Sequence, residues 1–223
     1  MIKLIATLTM LIDHIGVLFF PQYMIFRVIG RTAMPLYAYC IGRGYYYSRM
    51  HGTLDRYLKN VFWLLVASQI PYALIGGKGL NICGTWLFSL LLLIAFDRHF
   101  DTGWEKAVWC CGIYGITAVL YWKGIIISDY GIGGVTTPLL FYLLIKQKKE
   151  NWVNYMLAVL IGWVVYVMSS GTASSLGQIF SLGSVAVLAV CHNRDSIIKL
   201  PKWFFYWFYP VHLTILLLIK AMT

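Results

Sequence analysis

Charged residues are scarce in this chain of 223 residues: they make up 12% of it, against a hydrophobic share of 60%. A soluble domain carries about 25% charged and about 45–50% apolar residues. So little charge leaves too little polar surface to cover a globule in water. The composition therefore excludes an ordinary cytosolic enzyme and a disordered tail. It predicts an all-α protein, a polytopic bundle of transmembrane helices.

The sequence also lacks the spacings of a disulfide framework and of a metal site. It has five cysteines, an odd number, and no C-x-x-C motif. Most of these cysteines lie in apolar runs, where buried free thiols are the usual state. The five histidines show no H-x3-H or similar spacing. We therefore expect free cysteines and no bound metal.

Nine apolar runs have the length of a membrane-spanning helix, which takes about 20 residues. They lie near residues 2–20, 23–48, 57–76, 81–97, 104–122, 125–146, 152–169, 175–192 and 203–221. The second run is long and rich in glycine and arginine, so a count of eight or ten spans is also open. No linker or low-complexity tract divides the chain. We expect one integral membrane domain over residues 1–223.

Lysine and arginine alternate between successive loops. One set of loops, together with Lys3, holds thirteen of the eighteen basic residues. Because positive loops mark the cytoplasmic side, the amino terminus is predicted to be cytoplasmic. The net charge of +10 indicates orientation and contact with anionic lipid. It does not indicate nucleic-acid binding, since no basic stripe interleaves with aromatic residues on a soluble surface.

The first apolar run contains two ionisable residues, Asp13 and His14. His14 follows Lys3 by eleven residues, which places it about 16 Å into the bilayer at a rise of about 1.5 Å per residue. An ionisable group at that depth costs about 2.5–3.5 kcal/mol on insertion scales and marks a functional site by default. A histidine near a carboxylate suits general-base catalysis, because its reference pKa is about 6.5.

Other polar residues fall at a middle or outer depth of the predicted membrane. Arg27 and Arg31 are four residues apart and share one helix face, where they would suit an anionic ligand or a developing oxyanion. The remaining members of the set are Gln69, Asn81, Asp129 and His212. We expect these side chains to line one water-accessible pocket in the outer half of the bundle and to bind a substrate.

Structural roles are open for three of these residues. Asp129 would also serve as a helix cap, with its neighbouring glycines allowing close helix packing. His212 would also bond a backbone carbonyl freed by Pro210, and Arg27 would also extend to the outer surface. A transporter or a permease for lipids or small molecules would use the same buried polar groups. The residues alone do not separate that alternative from an enzyme.

The predicted cytoplasmic side carries a basic, aromatic patch. It includes Arg43 and Arg49, with Arg56 and Lys59 nearby, and tyrosines that include Tyr46. Such a patch would dock a nucleotide phosphate, although ordinary orientation signals have the same composition. The oligomeric state is open.

Several segments resemble one known family, the TraX-type membrane proteins. They read KLIATLTMLIDHIG and RVIGRTAMPLYAYCIGRGYYYSR near the amino terminus, followed by SQIPY, DYGIGGV and FFYWFYPVHL. TraX proteins are named for the factor that acetylates the amino-terminal residue of F-type pilin. The resemblance implies an acetyltransferase of the bacterial inner membrane that uses acetyl-CoA. Its acceptor would be the amine or hydroxyl of a pilin-like peptide or an envelope glycan.

TraX proteins are also distantly similar to acyltransferase family 3, in which a basic residue precedes a histidine by ten intervening residues. Lys3 and His14 have this spacing here, with lysine in place of the more common arginine. The resemblance implies that His14 deprotonates the acceptor, oriented by Asp13. Arg27 or Arg31 would hold the acceptor or the thioester carbonyl. The expected contacts to CoA are Lys3, Arg43, Tyr46 and Arg49.

Overall fold

The computed structural model describes residues 1–77, 79–97, 103–123, 130–170, 176–192 and 201–222, and every regular element in these ranges is helical. The elements are α1 (Ile2–Phe19), α2 (Met24–Gly30), α3 (Ala33–Met50), α4 (Leu54–Leu74), α5 (Ile82–Asp97), α6 (Gly103–Trp122), α7 (Gly131–Lys146), α8 (Trp152–Ser170), a 3-10 helix (Leu176–Leu182), α9 (Gly183–Cys191) and α10 (Lys202–Met222). The predicted all-α class is confirmed.

Each of the nine apolar runs contains a helix, and two runs are divided. The second run forms α2 and α3, which are separated at Arg31 and Thr32. The Thr32 hydroxyl donates to the Ile29 carbonyl at 2.7 Å, an alternative to the helical bonding pattern that is common where a helix ends. The eighth run forms the 3-10 helix followed by α9.

Three helices in the described ranges are long and apolar enough to cross a membrane. They are Ile2–Phe19, Trp152–Ser169 and Trp203–Met222. Shorter apolar helices occupy Ile82–Asp97, Gly131–Lys146 and Ile179–Cys191. The length and composition of these helices therefore support the prediction that this is a membrane protein.

Five helices pack side by side as a closed ring in the order α1, α3, α5, α4 and α10. α1 and α3 run antiparallel, because Thr7 contacts Tyr37 while Asp13, further along α1, lies against Gly30 just before α3. Helices α3 and α5 end at the same side, where Arg49 pairs with Asp97. The ring encloses the space that contains the candidate site.

Helices α7 and α8 pack behind α3 through aromatic rings and small residues. The Tyr39 ring meets Phe141 and Tyr155 edge-on, with ring centroids 5.6 and 5.9 Å apart. Such pairs contribute about 0.5–1.5 kcal/mol each beyond their burial. A methyl group at Gly42 would press on the Pro138 carbonyl oxygen of α7. This close contact fixes α3, which lines the cavity, against α7.

Candidate active site

A cavity of about 240 Å³ lies inside the five-helix ring. Its wall along α1 extends from Lys3 to His14, which is about 16 Å at 1.5 Å per residue. The Lys3 end is formed by Lys3, Gly44, Tyr57 and Phe205, and the Asp13 end by Asp13, Gly30, Tyr72 and Tyr130. The cavity is therefore elongated along the helices.

His14 and His212 form a hydrogen-bonded pair at the cavity wall. Nδ1 of His14 lies 2.7 Å from Nε2 of His212, and Nδ1 of His212 lies 2.7 Å from the Phe208 carbonyl oxygen. A carbonyl oxygen only accepts hydrogen bonds, so Nδ1 of His212 carries a proton. In neutral His212, Nε2 is then the acceptor, and Nδ1 of His14 donates to it.

This chain of hydrogen bonds determines which nitrogen of His14 can act as a base. With its proton on Nδ1, neutral His14 has its lone pair on Nε2. His14 belongs to the cavity wall, while His212 lies behind it and is only 5% exposed. The basic nitrogen of His14 is therefore held in one tautomer beside the cavity, as a general base requires.

The structural alternative for His212 is correct in part. Its ring does bond a carbonyl of its own helix, but that carbonyl belongs to Phe208. The carbonyl whose usual N–H partner Pro210 lacks is four residues before the proline, at Tyr206. The same histidine also contacts His14, so its structural bond determines the state of the cavity residue.

Asp13 forms an ion pair with Arg27, whereas the resemblance to TraX proteins implied that it orients His14. Nη1 of Arg27 lies 2.9 Å from both carboxylate oxygens of Asp13. The Asp13 side chain is 14% exposed and the Arg27 side chain 29% exposed. The carboxylate fits against Gly30, where a methyl group would overlap it. Neighbouring helix residues point about 100° apart, which explains why Asp13 and His14 have different partners.

Arg31 packs over an aromatic residue of the Asp13 end. Its guanidinium carbon lies 5.8 Å from the centroid of the Tyr130 ring, within the range of a cation–π contact. Tyr130 itself lines the cavity. Asp129, which the sequence interpretation assigned to the same zone, lies outside the described residues.

The sequence interpretation did not identify the side chains that form most of the wall. They include six tyrosines and two cysteines: Tyr37, Tyr57, Tyr72, Tyr130, Tyr206 and Tyr209, with Cys40 and Cys83. Tyr37 is oriented by a chain of hydrogen bonds: Thr7 donates to the Lys3 carbonyl at 2.7 Å, so the Tyr37 hydroxyl donates to Thr7 over 3.1 Å. The spacing of Tyr37, Ile41 and Gly44 marks one helix face, but such a face usually indicates packing.

Gln69 and Asn81 hold α4 against the beginning of α5. Gln69 donates to the Gly79 carbonyl at 2.8 Å and accepts from the Asn81 backbone at 3.0 Å. Asn81, which is fully buried, donates to Leu65 and Ser68 and accepts from the Cys83 backbone N–H. Neither residue belongs to the described cavity wall, so their geometry gives them a structural role.

Replacing Asn81 with alanine is expected to destabilise the protein by about 2 kcal/mol, because buried partners on α4 and α5 lose their hydrogen bonds. The thermal unfolding midpoint in detergent measures this loss. The control is Asn154→Ala, which removes a half-buried asparagine with one side-chain hydrogen bond, to the Lys149 carbonyl. An unchanged unfolding midpoint together with weaker acceptor binding would instead show that Asn81 binds the substrate.

Of the four residues expected to contact CoA, Lys3 lies in the cavity wall. Its Nζ lies 5.9 Å from the centroid of the Phe205 ring. Arg43 donates to the His192 carbonyl at 3.3 Å, and Tyr46 packs on its neighbour Tyr47 with ring centroids 5.3 Å apart. Neither belongs to the described wall.

Arg49 takes part in an ion cluster at the far end of α3. Its Nε lies 2.6 Å from one carboxylate oxygen of Asp97, and Nζ of Lys146 lies 2.6 Å from the other. The cluster joins the ends of α3, α5 and α7. It gives Arg49 a structural partner away from the cavity.

No group of three or more His, Cys, Asp or Glu side chains in the described ranges is arranged to hold a metal ion. The expectation that the protein uses no metal stays a prediction. The site thus consists of the histidine pair, the Asp13–Arg27 ion pair and a wall rich in tyrosine.

The fold and the site define an all-helical protein with membrane-type helices and an internal cavity that presents a basic histidine. It belongs to the TraX family: the family model described as TraX protein matches residues 1–220. The TraX protein of Escherichia coli is 26% identical over 96% of this chain and 84% of its own length.

Two further relatives are similar. A protein of Dichelobacter nodosus named probable fimbrial assembly protein FimC, serogroup H1, is 23% identical over 96% of this chain and 92% of its own length. An uncharacterized protein of Rickettsia prowazekii is 41% identical, but over 21% of this chain and 18% of its own length. No solved structure matches the chain.

Proposed function

We propose that this protein is a multi-pass acetyltransferase of the bacterial inner membrane with a cytoplasmic amino terminus. It transfers an acetyl group from acetyl-CoA to an amine or hydroxyl acceptor. The observation that carries the proposal is the fixed tautomer of His14, whose Nε2 is available beside the cavity. Membership of the TraX family supports the same activity.

The shape of the cavity fits a long, thin acyl donor. The wall extends about 16 Å along α1, from a lysine to the histidine pair. Lys3 would attract a donor phosphate, and the tyrosines would surround the chain that carries the thioester. Lys3 and His14 share this wall and are separated by ten residues, which supports the more distant similarity to acyltransferase family 3.

In the proposed reaction, the acceptor nitrogen or oxygen bonds to the acetyl carbon while the carbon–sulfur bond breaks. His14 Nε2 takes the proton that the acceptor loses and returns it to the CoA sulfur. While His14 is protonated, its charge is stabilised through His212 and the Phe208 carbonyl. His212 thus takes the orienting role that the sequence interpretation gave to Asp13. Arg27 and Arg31 remain candidates for holding the acceptor.

A pilin-like peptide is the favoured acceptor, and an envelope glycan is the alternative. A relative that aligns over nearly its whole length is named a probable fimbrial assembly protein.

The excess of basic residues supports contact with anionic lipid.

Membranes containing the protein are expected to transfer labelled acetyl from acetyl-CoA to a pilin-like peptide or to envelope material. Membranes with an equal amount of the His14→Ala protein are the control. Absence of acetyl-CoA consumption by folded protein supplied with both acceptors would contradict the proposal. Movement of a solute through the cavity without acetyl-CoA consumption would favour a permease, since the cavity wall extends along α4 from Tyr57 to Tyr72.

A further inference from the structure

A second depression lies on the outside of the five-helix ring, between α4 and α10. Its volume is about 720 Å³, within the range of small-molecule sites. Its walls come mainly from the amino-terminal halves of both helices and include Arg56, Asn60 and Trp63 of α4 and Trp203, Tyr206 and Trp207 of α10. We call it the α4–α10 groove.

The α4–α10 groove adjoins the central cavity. Tyr57, Leu64 and Tyr206 line both spaces, so side chains rather than a helix backbone separate them. Tyr57 reaches across to α3, where a methyl group at Gly44 would press on its hydroxyl. Gly44 and Tyr57 belong to the Lys3 end of the cavity. The groove therefore leads to the end that is opposite the Asp13–Arg27 pair.

Arg56 supplies the groove with an available positive charge. Four of the five arginines in the described ranges contact other protein groups, namely Arg27, Arg31, Arg43 and Arg49. Arg56 is exposed, and no hydrogen bond or ion pair joins it to another described residue. A guanidinium in this state can donate two parallel hydrogen bonds to a phosphate.

Three tryptophans with exposed rings line the same groove as Arg56. Trp63 and Trp203 are each 64% exposed, and Trp207 is 59% exposed. Exposed indole faces stack on nucleobases and stabilise them by about 1–3 kcal/mol per base. Tryptophans are also common at membrane interfaces, but here they share a groove with a free arginine and border the catalytic cavity. An aromatic surface, a phosphate-binding cation and a route to the cavity together match a nucleotide that carries a reactive arm.

We propose that the α4–α10 groove binds the adenosine phosphate portion of acyl-CoA, with Arg56 on a phosphate and Trp203 or Trp207 against the purine. The thioester arm then enters the cavity between Tyr57 and Tyr206. This assignment rests on the proposed acetyltransferase function. It places the nucleotide at Arg56, between α4 and α10, and not at Arg43 and Arg49, whose side chains have protein partners.

Binding of CoA to the full chain in detergent, measured by calorimetric titration, tests the assignment. Arg56→Gln and Trp207→Ala are each expected to raise the Kd for CoA by about tenfold. The same variants raise the KM for acetyl-CoA and leave kcat nearly unchanged. The controls are Lys149→Gln, another exposed basic residue, and Trp152→Ala, another exposed tryptophan on α8. Both should bind CoA like the wild type.

The outcomes separate this assignment from the proposed function. Normal CoA affinity in both groove variants, with normal acetyl transfer, would overturn the groove assignment and retain the enzyme. Loss of co-purified anionic lipid in Arg56→Gln without a change in CoA affinity would make the groove a lipid site and also overturn it. Absence of CoA binding and of acetyl transfer in the wild type would overturn both proposals.

Discussion

Replacing His14 with alanine is expected to lower kcat for acetyl transfer by about 1,000-fold, within the usual range for a lost general base. The variant removes the one nitrogen that the hydrogen-bond chain holds as an acceptor beside the cavity. The KM for acetyl-CoA should change little, because the Lys3 end is more than ten residues away along α1. His51→Ala is the matched control, since His51 is exposed and bonds the Tyr47 carbonyl.

Variants of His212 distinguish an orienting role from a packing role. His212→Leu is expected to lower kcat by about 100-fold, because nothing then accepts the Nδ1 proton of His14 and the other tautomer becomes accessible. His212→Gln provides an amide oxygen as acceptor and should recover much of the rate. Equal loss in both variants, or normal transfer by His14→Ala, would remove the histidine pair from the mechanism.

Replacing Arg27 with alanine is expected to destabilise the protein by about 2 kcal/mol, between the values for breaking an exposed and a fully buried ion pair. Asp13 is 14% exposed, so its charge would lose a close compensating partner in a region of low polarity. Arg43→Ala is the control for removing an arginine that is exposed. The unfolding midpoint in detergent measures both changes.

The double variant Asp13→Asn with Arg27→Ala tests the cause of this loss. If the uncompensated carboxylate destabilises Arg27→Ala, a neutral side chain at position 13 should restore most of the stability. If the losses of stability of the two single variants instead add up in the double variant, the two residues act independently. That result would contradict the interpretation that Asp13 and Arg27 stabilise the protein as an ion pair.

The apolar runs allowed most of the helices to be predicted from the sequence. Each run contains a helix, since segments of this length satisfy their backbone hydrogen bonds internally in an apolar environment. The glycines and arginines of the second run left its division open, and the structure places the break between α2 and α3 at Arg31 and Thr32. The distance of His14 from Lys3 along α1 also follows from the sequence, as it depends only on the helical rise. Its depth in a membrane stays a prediction.

The pairing of His14 with His212 required the tertiary structure. The two residues are 198 positions apart, and local sequence carries no information on which helices adjoin. Both lie at a similar predicted depth, about ten residues into their helices, and this was the available signal. Proximity in sequence suggested Asp13 as the residue that orients His14, whereas Asp13 pairs with Arg27 and His14 with His212.

The same limit explains Gln69, Asn81 and Arg49. A buried polar residue has the same sequence signature whether it faces a cavity or bonds a neighbouring backbone. Only the packing of α4 on α5 shows that Gln69 and Asn81 bond protein groups. Likewise, the sequence indicates a free surface cation at Arg49. Only the tertiary structure shows its ion pair with Asp97, which is distant in the chain.

The sequence by itself thus determined the helical class, the helical segments and the position of His14 along the first helix, because each follows from composition and regular helix geometry. The tertiary structure decided which polar groups meet: the histidine pair, the Asp13–Arg27 ion pair, the tyrosine wall and the groove between α4 and α10. These depend on which helix faces adjoin. That is set by side-chain packing between segments far apart in the chain.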